Sequence, residues 1–156
     1  MSECSSVFKI QGVPGNNLSM DYNKIQIEST EVEMPDFLPG VGIKVLIDGR
    51  IFPASDYHLD VDSFFKALSG EEWVEFVGGC HIKECCGSGA KTEITKSGWV
   101  WSEGKYLFKW SDVLGASRAI IKVIQRYEGP KSEVWGVQPD NMQFYQQQLT
   151  VLKGRM

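Results

Sequence analysis

Hydrophobic and polar positions alternate through most of this chain, the two-residue period of strands with one buried face. Over residues 22–33, Ile25 and Ile27 alternate with polar neighbours, and a change of phase near Ser29-Thr30 predicts a bulge. Ile43, Val45 and Ile47 share one face of a strand over residues 41–47. Asp48-Gly49 then predicts a two-residue hairpin turn into Arg50-Ile51-Phe52. Residues 72–77 read as a further strand. Residues 92–96, 99–101 and 106–110 form a tight antiparallel meander punctuated by Ser97-Gly98 and Glu103-Gly104. In its last strand Tyr106, Phe108 and Trp110 point one way, and Leu107 and Lys109 the other.

The period changes in two places. Phe64, Phe65 and Leu68 supply the apolar face of a short helix, with Asp60 or Asp62 as its cap and Gly70 as its stop. Met142, Tyr145, Leu149 and Leu152 recur at helical spacing near the C-terminus. There Asp140 is the predicted cap, Gln143 completes a capping box, Gly154 stops the helix, and Gln146, Gln147 and Gln148 belong mostly to its wet side. Residues 118–127 fit either period. Ile120, Ile121, Val123, Ile124 and Tyr127 suit a helix face that Ser111-Asp112 would cap. A helix reaching back that far, however, would enclose Gly115 at about 1 kcal/mol. The β-branched run between Gly115 and Gly129-Pro130 favours a buried strand. The expected architecture is α+β: a single domain over residues 1–156, mostly antiparallel sheet with two helices, the C-terminal one packed on the sheet.

Composition changes this picture little. A chain of 156 residues, 42% hydrophobic and 23% charged, buries an adequate core without staples. The first residues lack the basic and apolar regions of a secretory signal, and no apolar run is long enough to span a membrane, so the cytoplasm is the expected compartment. A net charge of −4 argues against direct nucleic-acid binding. The distribution of charge matters more. Residues 21–76 hold twelve acids against four bases, formally −8, and residues 77–156 hold eleven bases against seven acids, formally +4. Such segregation either reflects ordinary solvated faces or marks an acidic surface that steers a basic partner. Asp56, Glu71 and Glu72 are the leading candidates to line that surface, because each lies at the edge of an element. Asp60 and Asp62 follow, since capping occupies them.

The densest chemistry lies between two strands, where Cys80, His81, Cys85 and Cys86 fall within seven residues. As a zinc set they contain two adjacent pairs, which rarely aim at one metal, and no separated C-x-x-C knuckles accompany them. His58 is a further available ligand. Cys80 and Cys85 are spaced C-x4-C rather than the C-x-x-C of oxidoreductases. The expectation is a metal-free turn of reduced thiols, with no cofactor and no catalytic residue. No nucleophile motif or phosphate-binding glycine loop supports an enzyme.

A family resemblance adds to this. Trp73–Val77, Gly79-Cys80, Cys85-Cys86-Gly87, the strand over residues 92–95 and Trp99-Val100-Trp101 resemble a group of small bacterial proteins. In these a strand enters a Cys/Gly-rich turn and then a hairpin ending near a tryptophan. Gln143-Phe144-Tyr145 is similar to the Gln-aromatic pair that opens their last helix. The family's turn carries a further C-x-C; here His81-Ile82 follows Cys80 instead. Proteins of this kind include immunity proteins that stand beside polymorphic or contact-dependent inhibition toxins. The resemblance implies a bacterial protein that binds and neutralises a cognate toxin domain, such as a basic nuclease. The alternatives are a structural or assembly subunit and a small zinc- or thiol-dependent protein.

Overall fold

The computed structural model describes residues 21–32, 40–78, 87–127, 133, 134 and 136–156. The order of elements is β1 (Ile25–Val32), β2 (Gly40–Ile47), β3 (Arg50–Phe52), β4 (His58–Leu59), α1 (Val61–Leu68), β5 (Trp73–Val77), β6 (Gly87–Ile94), β7 (Trp99–Trp101), β8 (Tyr106–Phe108), α2 (Trp110–Arg126), β9 (Glu133–Val134) and α3 (Met142–Arg155). The fold is α+β.

Two sheets carry it. In the first, β2 pairs antiparallel with β1 and with β3, and parallel with β9. In the second, β4 to β8 are neighbours in chain order and every pair is antiparallel. The β1–β2 register runs unbroken from Ile25 opposite Ile47 to Val32 opposite Gly40, so the bulge expected at Ser29-Thr30 is absent. Polar Ser29 and Thr30 simply occupy ordinary pleat positions near the strand's end. Asp48 and Gly49 both have positive φ, 52° and 85°, as a type I′ hairpin turn requires.

Asn23 joins the sheets. Its backbone N–H donates to the Leu107 carbonyl at 2.8 Å, its Oδ1 accepts from the Leu107 N–H at 2.9 Å, and its Nδ2 donates to Asp48 at 2.7 Å. The edge of β8 is thereby occupied by the residues leading into β1. Between the sheets runs a chain of aromatic rings. Phe52 meets Phe76, Trp101 and Tyr106 edge-on; Trp101 meets Trp99 at 5.3 Å between centroids; Trp99 meets Phe64; and Phe65 stacks on Tyr145 at 4.6 Å. These geometries favour the ring quadrupoles and add to burial.

Residues 118–127 are helical, which corrects the strand expectation: α2 is a single helix of 17 residues. Val113, Leu114, Ala116, Ser117, Ile120, Ile121, Val123 and Ile124 are all buried, a stripe at helical spacing that a strand would send to both faces. Gly115 lies exposed on the outer side, so its weak propensity is the whole cost of including it. Trp110 opens this helix rather than ending a strand, and its indole donates to the Thr95 carbonyl at 3.1 Å.

The C-terminal helix packs on α2 and touches α1. Its buried side is Tyr145, Gln148 and Leu152, so Gln148 belongs to the core side while Gln146 and Gln147 are exposed. The helix runs through Gly154 to Arg155, whose guanidinium lies 5.0 Å from the Trp110 ring centroid. The expected capping box does not form. Asp140 sits in a 3-10 turn, Asn141 occupies the cap position without a side-chain cap bond, and the Asn141 amide is drawn to Asp62 instead.

Candidate functional site

The acids singled out from the sequence separate into three environments. Asp62 is 7% exposed in the first turn of α1. Its Oδ1 accepts from the Tyr145 hydroxyl at 2.6 Å and from Asn141 Nδ2 at 2.9 Å, and its Oδ2 meets Lys66 Nζ at 2.9 Å. Burial acts to raise its carboxyl pKa, but the donors Tyr145, Asn141 and Lys66 together outweigh it and hold the group below the ordinary value. Burial first, and then the bond to Asp62, push the Tyr145 phenol well above its ordinary value. The Tyr145 oxygen also accepts the Gln138 N–H at 3.0 Å, and the Asp62 N–H donates to the Gly136 carbonyl at 2.9 Å. Gly136 has φ +84°, and a Cβ there would stand 2.7 Å from the Val61 nitrogen, so only glycine permits this approach. Asp62 therefore ties the start of α1 to the C-terminal helix.

Asp60 holds the N-cap position of α1, but its side chain makes no cap bond. Its carbonyl accepts from Ser63 Oγ at 2.8 Å and its N–H donates to Glu75 O at 2.8 Å. It is 8% exposed. Asp60 and Asp62 are thus largely buried, and the expected side-chain cap of α1 does not form.

Asp56, Glu71 and Glu72 are exposed. Glu71 and Glu72 connect α1 to β5, and their carbonyls accept from Thr92, Glu71 O from the hydroxyl at 3.3 Å and Glu72 O from the N–H at 2.7 Å. The backbone beneath both carboxylates is thereby fixed to β6. Asp56 precedes β4, whose His58 lies opposite Val77 at the far end of β5. The structure brings Glu71 and Glu72 together and leaves Asp56 a strand length away, about 13 Å or more.

The feature not singled out from the sequence is Trp73. It is 50% exposed, whereas Trp99, Trp101 and Trp110 are 0%, 0% and 5% exposed. The latter three rings are turned into the core. Val74, Phe76 and Ala90 turn to the core, so Trp73 and Glu75 stand on the outer face of β5 with Gly87, Gly89 and Lys91 beside them on β6. Two glycines in place of side chains leave an open trough of about 310 Å³, lined by Trp73, Glu75, Phe76, Gly87, Ser88 and Gly89. The sequence offers the acids Glu71-Glu72 directly before Trp73, while Gly89 and Gly87 stand opposite Glu75 and Val77.

The cysteine-rich segment, with Cys80, His81, Cys85 and Cys86, lies outside the described residues. Among the described residues, no three His, Cys, Asp or Glu side chains converge as a metal set. His58 is buried against Gly42, where an added Cβ would lie 2.3 Å from the imidazole Cδ2. Among the described residues no helix is long and apolar enough to cross a membrane. The chain matches no protein-family model, no curated protein and no solved structure.

Proposed function

We propose that this chain is an immunity protein, one that binds and neutralises a basic bacterial toxin domain through the surface bearing Glu71, Glu72 and Asp56. The reading is supported chiefly by one observation: two exposed glutamates on a fixed backbone directly precede the half-exposed Trp73 in the chain. Exposed aromatics beside charges of one sign are what interface anchors consist of. The excess of acid over residues 21–76 extends the same sign beyond the anchor and would draw in a basic cleft of the kind a nuclease presents to its polyanion. Occlusion of that cleft requires no chemistry from this chain. Asp56 lies within the span of one standard interface from Glu71 and Glu72.

Pull-down from the native host, with mass spectrometry of the captured protein, tests this directly. The expected capture is a basic effector domain whose toxicity in cells this chain suppresses. The variant carrying Asp56→Lys, Glu71→Lys and Glu72→Lys should lose protection. Association should slow as salt rises from about 0.05 to 0.5 M, where the Debye length falls to a few ångströms. Capture of a metabolic complex, with no effect on any toxin, would overturn the reading.

A further inference from the structure

From the trough on the outer face of β5 and β6 we infer that this protein takes an arginine side chain of its partner, with the guanidinium laid on the Trp73 ring and directed at the neighbouring carboxylates. The partner's identity rests on the function proposed above; the chemistry of the subsite does not. Three features select this occupant. The first is shape. Gly89 stands opposite Glu75 and Gly87 opposite Val77, so β6 puts no side chain on this face where the trough runs. The trough is shallow and open on one side, and suits a flat group on a slender stem. The second is the wall. A Cβ on Gly89 would lie 3.3 Å from Trp73 Cε3, so the indole leans over the glycine and shows its other side to solvent. An aromatic face attracts a cation, and a planar, weakly hydrated guanidinium stacks on it better than a compact ammonium.

The third feature is charge. Glu71, Glu72 and Glu75 flank Trp73 in sequence, and Glu93 is exposed further along the same face of β6. Lys91 is the cross-strand partner of Trp73, and the acids of this stretch outnumber it. The surface is also rigid. Thr92 fixes the carbonyls of Glu71 and Glu72, and the Glu75 N–H donates to Ser63 Oγ at 2.8 Å, tying β5 to α1. A ligand group entering the trough therefore meets walls already in place, which lowers the ordering cost of binding.

Blocked hexa-arginine and hexa-lysine peptides test this on the intact chain at about 50 mM salt. The readout is the Trp73 indole N–H signal, assigned by its absence from the Trp73→Phe variant. Hexa-arginine should move that signal and bind more tightly than hexa-lysine of equal charge. Trp73→Ala should weaken hexa-arginine about tenfold, the loss expected of an aromatic anchor. Gly89→Val, which fills the trough and keeps every charge, should weaken it as well. Equal binding of the two peptides, or unchanged affinity in Trp73→Ala, would overturn the inference. The two proposals also fail separately. If toxin protection survives Trp73→Ala and is lost on reversing Glu71 and Glu72, the immunity reading holds without the arginine subsite. If hexa-arginine binds as expected and no toxin is captured, the subsite stands and the immunity reading falls.

Discussion

The molecule contains two pairings of acid with aromatic residue, and they serve opposite ends. At the α1–α3 junction Asp62 and Tyr145 are buried, 2.6 Å apart, and every polar atom of the group is engaged by Asn141, Lys66 or the Gln138 N–H. At the head of β5, Glu71, Glu72 and Trp73 are exposed, and the bonds that hold them use their backbone and not their side chains. The first pairing holds the C-terminal helix to the body; the second leaves its side chains at the surface. Residue type does not separate the two. Burial and hydrogen-bond satisfaction do.

The largest test removes one side of the first pairing altogether. Deleting residues 140–156 takes away Leu152 and Tyr145, whose ring stacks on Phe65. Each fully buried large side chain contributes about 1.5–3 kcal/mol, and Asp62 would lose its Tyr145 and Asn141 donors and keep Lys66. The truncated chain should be insoluble or unfolded; a product melting like the full chain would show that the junction carries no stability.

A smaller effect follows from Asp62 alone. Asp62→Ala should cost about 2–3 kcal/mol, since the Tyr145 hydroxyl and the Asn141 amide lose a charged acceptor. The folded protein holds the Asp62 carboxyl below its ordinary value of 3.8. Its contribution is therefore fully present above that value and disappears as pH falls through the lower folded one. Urea unfolding between pH 7 and 2.5 should show a steeper acid loss in the wild type than in Asp62→Asn. Parallel curves would remove Asp62 from the account of acid stability.

Much of the two sheets was legible in the sequence because successive residues of the longer strands alternate in exposure; β4, buried at both His58 and Leu59, and the two-residue β9 carry no such pattern. Ile43, Val45 and Ile47 declare β2, and the Asp48-Gly49 turn fixes its partner. The α+β class followed from that. Helix α2 was misread because Ile120, Ile121, Val123 and Ile124 are β-branched, and local propensity favours strand; the deciding stripe reaches back to Val113, beyond the window in which those residues dominate. The roles of Asp60 and Asp62 were misread for a different reason. A capping aspartate and a buried acceptor occupy the same position in the pattern, and only the approach of Tyr145, 83 residues away, distinguishes them. Glu71 and Glu72 were legible as surface acids. Trp73 was not, since tryptophans in strand patterns look alike until it is known which of them the core covers.

Gly115 offers a modest gain on the buried side of the comparison. It lies mid-helix in α2, exposed, and a Cβ there meets nothing within 4 Å. Gly115→Ala should stabilise by about 0.5–1 kcal/mol, a rise of roughly 2–4 °C in melting temperature for each kcal/mol in a chain of this size. A loss of stability would place that backbone in a conformation other than the regular helix.

The smallest effect is the one that defines the second pairing. Glu71→Lys with Glu72→Lys should leave the melting temperature nearly unchanged, within the roughly 0.5 kcal/mol typical of surface substitutions. The carbonyls that accept from Thr92 are untouched by the exchange, because a lysine keeps the same backbone. What changes is the local field. Lys66, whose ammonium is held protonated first by Asp62 and then, more weakly, by Glu71, would face a new positive charge. That repulsion acts through solvent, so whatever destabilisation appears should vanish as salt is raised to about 0.5 M. A loss as large as that of Asp62→Ala, persisting at high salt, would mean that the carboxylates at the head of β5 are built into the fold. The distinction between an acid that holds the structure and one that awaits a partner would then fail at its second member.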